Sequence, residues 1–353
     1  LDPTDENFQK CAQIIKMNGV VGMPTETVYG LAALATSEKS CELIYQTKQR
    51  PPTDPLIVHI SSLDQINQVA ILQPDILPIY TCLAAKFWPG PLTMVLPKSK
   101  NIPLTATANQ ETVGVRFPSH LLAQKLISLT GPLAAPSANL FGHVSPVTSQ
   151  HVLDDFPFLS ILNGDQSEIG IESTVIQLLE GKVFIFRRGF VTEQMLGQCF
   201  IDAGLKVEIE FKKISSSSVE KQVAPGQLTT HYAIQNAQSL FLCKTEPQFP
   251  SLTQIKQLDI NQKKVCVINC GLQEFKPLQQ HLNLENVQWF QIFDNPTQKY
   301  FETLRFVEKL NFQIVLVIPP LEVLESGAGS GIDASLFDRI LRSCSGQWFK
   351  VFQ

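Results

Sequence analysis

The strongest constraint on this chain is a series of apolar runs too brief for helices and too apolar for loops. They are Val20-Val21-Gly22-Met23-Pro24, Leu56-Ile57-Val58-His59-Ile60, Leu92-Thr93-Met94-Val95-Leu96, Val113-Gly114-Val115-Arg116-Phe117, Leu133-Ala134-Ala135, Ser173-Thr174-Val175-Ile176-Gln177 and Phe184-Ile185-Phe186-Arg187. Each reads as a short buried strand. Residues 5–18 read as an amphipathic helix, with Phe8, Cys11, Ile14 and Ile15 on one face, acidic residues in the first turn and Gly19 as a C-cap. Further helical stretches fall at 38–48, 75–87 and 119–129. Strands and helices alternate irregularly, which predicts an α+β fold on a mixed sheet rather than a doubly wound one.

The texture changes over 206–230. Ser215 to Ser218 bury nothing and read as a linker. The segment Ala224-Pro225-Gly226-Gln227-Leu228-Thr229-Thr230-His231-Tyr232 that follows is too specific for filler. A second series then begins. Leu240-Phe241-Leu242, Val265-Cys266-Val267-Ile268 and Ile314-Val315-Leu316-Val317-Ile318 read as strands, with helices at 297–310 and 334–344, which predicts a small Rossmann-like α/β domain. Gly327-Ala328-Gly329-Ser330-Gly331 reads as a glycine-rich turn rather than a nucleotide loop, since it is not GxGxxG. The expected division is a first domain at 1–210, a linker or lid at 211–234 and a second domain at 235–353.

A chain of 353 residues suits two domains, and 44% hydrophobic residues suffice for a core. A net charge of −4 argues against a surface coated in nucleic acid, while leaving room for a local basic pocket. The eight cysteines include no CxxC pair and no metal-ligand spacing, so they read as free thiols in a reducing compartment. No apolar run approaches the roughly 20 residues of a membrane span and no signal peptide is visible, so the expectation is cytoplasmic.

Several blocks could carry chemistry. In Pro24-Thr25-Glu26-Thr27-Val28-Tyr29-Gly30-Leu31, two hydroxyls and a carboxylate gather where a strand stops. They orient a small polar substrate, or Thr25 or Thr27 caps a helix running toward Leu31. In Lys48-Gln49-Arg50-Pro51-Pro52-Thr53-Asp54-Pro55, two cations two residues apart are locked by prolines, which makes an anion clamp or a basic helix end. His59 lies on an apolar strand, and spacing alone suggests a hydrogen-bonded core residue. Arg116 lies in an apolar strand and needs an anionic partner, either a protein carboxylate or a ligand's. Ala134-Ala135-Pro136-Ser137-Ala138-Asn139, followed by Ser145-Pro146, opens a strand end into small and hydroxylated residues. Glu172-Ser173-Thr174-Val175 and Arg187-Arg188-Gly189 complete the set.

In this order and phrasing, about residues 8–200 resemble the YrdC-like threonylcarbamoyl-AMP synthases, and the remainder resembles the linker and second domain of the two-domain form. The resemblance implies a YrdC-like twisted mixed sheet with helices. It also implies synthesis of L-threonylcarbamoyl-adenylate from L-threonine, bicarbonate and ATP with release of pyrophosphate, the first step of threonylcarbamoyladenosine formation in tRNA. By position, Lys48, Arg50 and Arg187 fall on the triphosphate clamp, with Lys48 and Arg50 carrying the catalytic load. Asp54, Thr112, Ala135, Ser145, His231 and Tyr232 also fall on the ATP side. Thr27, His59, Arg116, Ser137 and Ser173 fall where threonine is held, Arg116 on its carboxylate. Asp54 departs from the asparagine frequent in the family, and Ile234 replaces a proline after His231-Tyr232-Ala233. Mg²⁺ is expected with ATP and no protein-only metal site. The product would pass to a tRNA threonylcarbamoyl transferase, direct tRNA binding stays open, and no membrane partner is implied. A carbamoyl transferase of hydrogenase maturation would need CxxC segments absent here. An RNA-binding module would need basic-aromatic interleaving, also absent.

Overall fold

The computed structural model describes residues 1–212, 232–244, 247, 253–255, 260, 263–271, 287–292, 295–326 and 329–350. The chain divides into two compact units, residues 1–141 with 145–227, and residues 142–144 with 228–353.

The strands of the first unit are β1 (Val21–Met23), β2 (Gly30–Leu34), β3 (Ile57–His59), β4 (Leu92–Pro97), β5 (Thr112–Arg116), β6 (Leu133–Ala134), β7 (Thr174–Leu179), β8 (Lys182–Arg187) and β9 (Glu208–Phe211). Its helices are α1 (Asp5–Lys16), α2 (Glu38–Lys48), α3 (Ile66–Val69), α4 (Leu77–Phe87), α5 (Leu121–Thr130), α6 (Ser149–Asp155) and α7 (Glu193–Asp202). The nine strands form one sheet in the order β1-β2-β6-β3-β5-β4-β7-β8-β9. β3 with β5, β4 with β7 and β8 with β9 are parallel and the other neighbours antiparallel, so the sheet is mixed.

Strand alternation sorts the side chains onto two faces. Val58, Met94, Leu96, Val113, Val115, Ile176 and Leu178 enter the main core with Ile44 of α2, Leu83 of α4 and Leu196 of α7. On the opposite face, Ile57, Val95, Val175 and Phe186 form only a small apolar patch. The residues alternating with the core set on that face are His59, Thr93, Thr112, Gly114 and Arg116. A second cluster packs α1 and α5 on β1, β2 and β6 through Phe8, Cys11, Ile15, Leu126, Met23, Ala32 and Leu133.

Two local expectations need correction. No helix runs from Thr25 toward Leu31. Thr25 Oγ1 instead donates to the Val28 carbonyl at 2.5 Å and accepts from the backbone N–H of Thr27 and Val28, closing a turn, and β2 starts at Gly30. Distant partners decide this: Tyr29 N–H donates to Pro146 O and Leu31 N–H to Pro136 O, both at 2.8 Å. The expected boundary at 210 also shifts by one residue, since β9 runs to Phe211 and pairs with β8.

The second unit contains β10 (Gln238–Cys243), β11 (Thr253–Gln254), β12 (Val265–Asn269), β13 (Val287–Gln291), β14 (Ile314–Ile318) and β15 (Gln347–Lys350), with α8 (Pro296–Lys309), α9 (Leu321–Ser326) and α10 (Gly331–Ser343). The six strands run in the order β11-β15-β10-β14-β12-β13, and every ladder is parallel. β10, β12 and β14 are nearly continuous apolar runs, as expected of strands covered on both faces. Tyr232 is buried here, its ring centroid 5.0 Å from that of Phe301. Residues 142–144 belong to this unit: Gly142 O accepts from Ala233 N–H, His143 Nε2 meets Glu308 Oε2 at 2.6 Å, and Val144 O accepts from Arg305. Gly327 and Ala328 of the glycine string, residues 213–223 and the segment 224–231 lie outside the described residues. No helix among the described residues is long and apolar enough to cross a membrane.

Candidate active site

Main-chain bonds draw the motif blocks together. Gly30 bridges Ser137, and Ala138 N–H donates to Tyr29 O. A Cβ on Gly30 would lie 3.1 Å from the Ala135 Cβ, so glycine permits the close approach. Ile169 N–H donates to Glu26 O. At the far end, a Cβ on Gly189 would stand 2.4 Å from Thr174 N and 2.6 Å from Glu172 O. Glycine there lets the Arg187-Arg188-Gly189 turn lie on the Glu172–Thr174 segment.

The cations converge on Asp54. Lys48, the last residue of α2, is buried and donates to the carbonyls of Ser137 and Asn139. Arg50 Nη2 stands 2.9 Å from Asp54 Oδ2, while Nε and Nη2 donate to the carbonyls of Asp54 and Pro55. Arg187 Nε donates to Ser173 O, and its Nη2 donates to Ser173 Oγ. Burial pushes the Asp54 carboxyl up, against the pull of Arg50, Arg187 and Lys48, all close enough to act on it. Three cations thus act on the Asp54 carboxyl.

Arg116 anchors the neighbouring end of the site. Its Nη2 is 2.7 Å from Glu26 Oε1, its Nη1 donates to Thr27 Oγ1 at 2.8 Å, and its Nε faces Gly90 O at 3.4 Å. Of the two anions the sequence allowed, a protein carboxylate holds Arg116 here. Burial pushes Glu26 up, but the Arg116 guanidinium outweighs it and holds the carboxyl below its ordinary value. His59 sits beside Arg116 in the β3–β5 ladder. Burial and the Arg116 charge press its imidazole down to about 3, so it is neutral, with Nδ1 3.2 Å from Ile57 O.

Ser173 joins the two ends. Its Oγ lies 2.7 Å from Thr93 Oγ1 and accepts from Arg187, while Thr93 pairs with Arg116 across β4 and β5. Ser145 Oγ donates to Glu172 Oε1 at 2.5 Å. Ala135 N–H donates to Ile57 O, placing Ala135 beside β3. Thr112 begins β5, four residues and about 13 Å along the strand from Arg116, on the same face. Thus Thr27, His59, Arg116, Ser173, Arg187, Lys48, Arg50, Asp54, Ser137, Ala135 and Ser145 are knit into one region of the first unit. Tyr232 is packed within the second unit, and His231 lies outside the described residues. Sequence reasoning put Glu26 in a substrate-orienting turn without joining it to Arg116, and it missed Thr93. Glu26 was visible as a carboxylate in a hydroxyl-rich turn, whereas nothing local marks Thr93, whose role comes from its strand neighbours.

Arginine and lysine donors clustered around one buried carboxylate suit a polyphosphate, and an arginine flanked by hydroxyls suits a small carboxylate. Together they can align two anionic reactants for group transfer.

Comparison with known proteins finds relatives of both halves of the chain. The family model Sua5_yciO_yrdC, described as telomere recombination, matches residues 13–189, and the model for the threonylcarbamoyl-AMP synthase C-terminal domain matches residues 191–345. The threonylcarbamoyl-AMP synthase of Pyrococcus abyssi is 40% identical over 229 residues, spanning 63% of this chain and 64% of that protein, just under two thirds of its length. The Bacillus subtilis enzyme of the same name is 37% identical over 256 residues, 70% of each chain. A crystal structure of P. abyssi Sua5 complexed with L-threonine superposes with a TM-score of 0.80 at 29% identity, covering 98% of this chain and 96% of that one.

Proposed function

The chain belongs to the Sua5/YciO/YrdC family in its two-domain form, and from that premise we propose that it joins L-threonine, bicarbonate and ATP into L-threonylcarbamoyl-adenylate, releasing pyrophosphate. The observation that carries this reading is the three-cation cluster at Asp54 lying next to Arg116 through Ser173. One end suits a triphosphate and the other an amino-acid carboxylate.

In this reading the threonine carboxylate competes with Glu26 for Arg116, and the hydroxyls of Thr27, Ser137 and Ser173 surround its side chain and amine. The amine nitrogen attacks the bicarbonate carbon, the C–N bond forms, a C–O bond breaks and water leaves, giving a carbamate. The carbamate oxygen attacks the α-phosphorus of ATP, the bond to the bridging oxygen breaks, and pyrophosphate leaves with the electron pair. Lys48, Arg50 and Arg187 stabilise the charge that builds on the phosphoryl oxygens, so catalysis is alignment plus electrostatics and needs no protein nucleophile. Thr112, Ala135, Ser145, His231 and Tyr232 are assigned to the nucleotide side by their positions in the family pattern. Mg²⁺ would enter with ATP and would add to the charge neutralisation that Lys48, Arg50 and Arg187 supply. The product carries an activated acyl group, which calls for a transferase to take it up, and the family resemblance makes tRNA the acceptor.

The test is pyrophosphate release by the full chain with all three substrates, and with each omitted. Release that needs threonine and bicarbonate, with the acyl-adenylate identified by mass, supports the assignment. Release that ignores threonine overturns it. Valine, which keeps the branching but lacks the hydroxyl, should be rejected more strongly than serine, because a hydroxyl-binding site leaves its own groups unpaired when the hydroxyl is missing.

A further inference from the structure

Away from this site, two thiols meet where α4 packs on α7. Cys82 lies in mid-α4 and Cys199 near the end of α7, 117 residues apart in sequence, yet their Sγ atoms are 2.9 Å from one another. The contact is reciprocal: Cys82 Sγ is 3.3 Å from Cys199 O, and Cys199 Sγ is 3.6 Å from Cys82 O. A disulfide requires its sulfurs at about 2.05 Å. The two side chains therefore face each other and need less than about one ångström of further approach. The helices themselves are held by the main core, in which Leu83, Ala84, Leu196 and Phe200 flank the two cysteines.

We propose that Cys82 and Cys199 form a dithiol site that a two-electron oxidant converts to an intramolecular disulfide, stapling α4 to α7. With hydrogen peroxide, the Cys82 thiolate attacks one peroxide oxygen, the O–O bond breaks and hydroxide leaves. Cys82 is then a sulfenic acid. The Cys199 sulfur attacks the Cys82 sulfur, the S–S bond forms, and the sulfenic oxygen departs as water with the remaining proton. Two thiols and one peroxide give one disulfide and two waters. Cys82 reacts first because it is partly exposed, whereas Cys199 is buried. Burial and the contact with Cys82 push the Cys199 thiol up to about 12, while Lys86, one turn further along α4, favours its thiolate. The ring closed by the bond contains β4 to β8, and α7 follows directly from the Arg187-Arg188-Gly189 turn.

The experiment needs no knowledge of the reaction catalysed. The reduced full-length chain is treated with stoichiometric peroxide, remaining thiols are blocked with N-ethylmaleimide, and the protein is mapped by mass without reduction. The expected result is one peptide containing Cys82 joined to one containing Cys199, with the other cysteines alkylated, and a melting temperature raised by roughly 5–15 °C over the reduced chain. Cys82→Ser and Cys199→Ser should each abolish both changes. The proposal is overturned if Cys82 and Cys199 are recovered alkylated, separately over-oxidised, or joined to other cysteines. Should either serine variant fail to fold, the linked peptide from the unsubstituted chain decides the matter alone.

Discussion

Arg116 and Arg50 meet carboxylates within this chain, at Glu26 and Asp54, and this changes how their substitution reads. Removing one member of a buried pair leaves the other charge uncompensated, at a cost of about 3–5 kcal/mol. Arg50→Ala alone therefore mixes instability with lost catalysis, although a proline-bound loop looks tolerant in the sequence. The paired variant Arg50→Ala with Asp54→Ala should keep the fold while kcat for pyrophosphate release falls by about 10²–10³, the scale for one preorganised donor. Near-normal turnover in the folded double variant would remove Arg50 from the clamp. Asp54→Asn leaves Arg50 uncompensated in the same way, and in protein that is still folded it should act the other way on binding, since it removes a carboxylate among Lys48, Arg50 and Arg187. The expected outcome is tighter pyrophosphate binding and slower product release, seen as a lower KM for ATP with a lower kcat. His59 adds a pH signature. It is neutral when folded, with its imidazole near about 3 instead of 6.5 when free. Its contribution is complete above 6.5 and is lost as pH falls toward 3, because the unfolded chain then binds the extra proton. From about pH 7.5 to about pH 5.5, this group should cost about 1.4 kcal/mol of unfolding free energy. His59→Asn should flatten that part of the profile in denaturant titrations at the two pH values.

At the scale of elements, the site depends on where strands end and turns begin. β2 exists because Tyr29 and Leu31 find carbonyls at Pro146 and Pro136, more than a hundred residues away, and no local pattern announces that pairing. α6 and α7 begin on Thr148 and Thr192, whose hydroxyls accept from His151 N–H and Met195 N–H. The sharpest element-level dependence is Gly189. A Cβ there would collide with backbone atoms of Thr174, Glu172 and Ser173, and backbone cannot swing aside as a side chain can. Gly189→Ala should cost about 1–3 kcal/mol of stability by overpacking and should displace Arg187 from Ser173. An activity loss larger than the stability loss explains, measured where the variant is still fully folded, is the expected result. Unchanged activity would show that the Arg187 end tolerates movement.

For the whole molecule, one short segment groups with the second unit although its sequence neighbours belong to the first. Residues 142–144 leave the first unit's chain and bond within the second, through Ala233, Arg305 and Glu308, immediately before Ser145 returns to Glu172. Ending the chain after Lys212 retains β9 and the sheet but removes those partners. The shortened protein should remain folded by circular dichroism, with its own core intact, and should synthesise the acyl-adenylate poorly. Full activity would show that the 142–144 anchorage is dispensable. Sequence alone determined the short apolar strands, the break between a mixed-sheet half and a parallel-sheet half, and the blocks of cations and hydroxyls. These are recorded locally, in period, in turn chemistry and in an improbable order of motifs. The tertiary structure alone decided that Arg116 meets Glu26, that Arg50 meets Asp54, that Thr93 joins Ser173, and that Cys82 meets Cys199. A buried charge announces in sequence that it needs a partner, because isolation costs too much, but any carboxylate of the right reach would satisfy that need. Which one does so depends on strand order and register, and these are set by how the whole core packs.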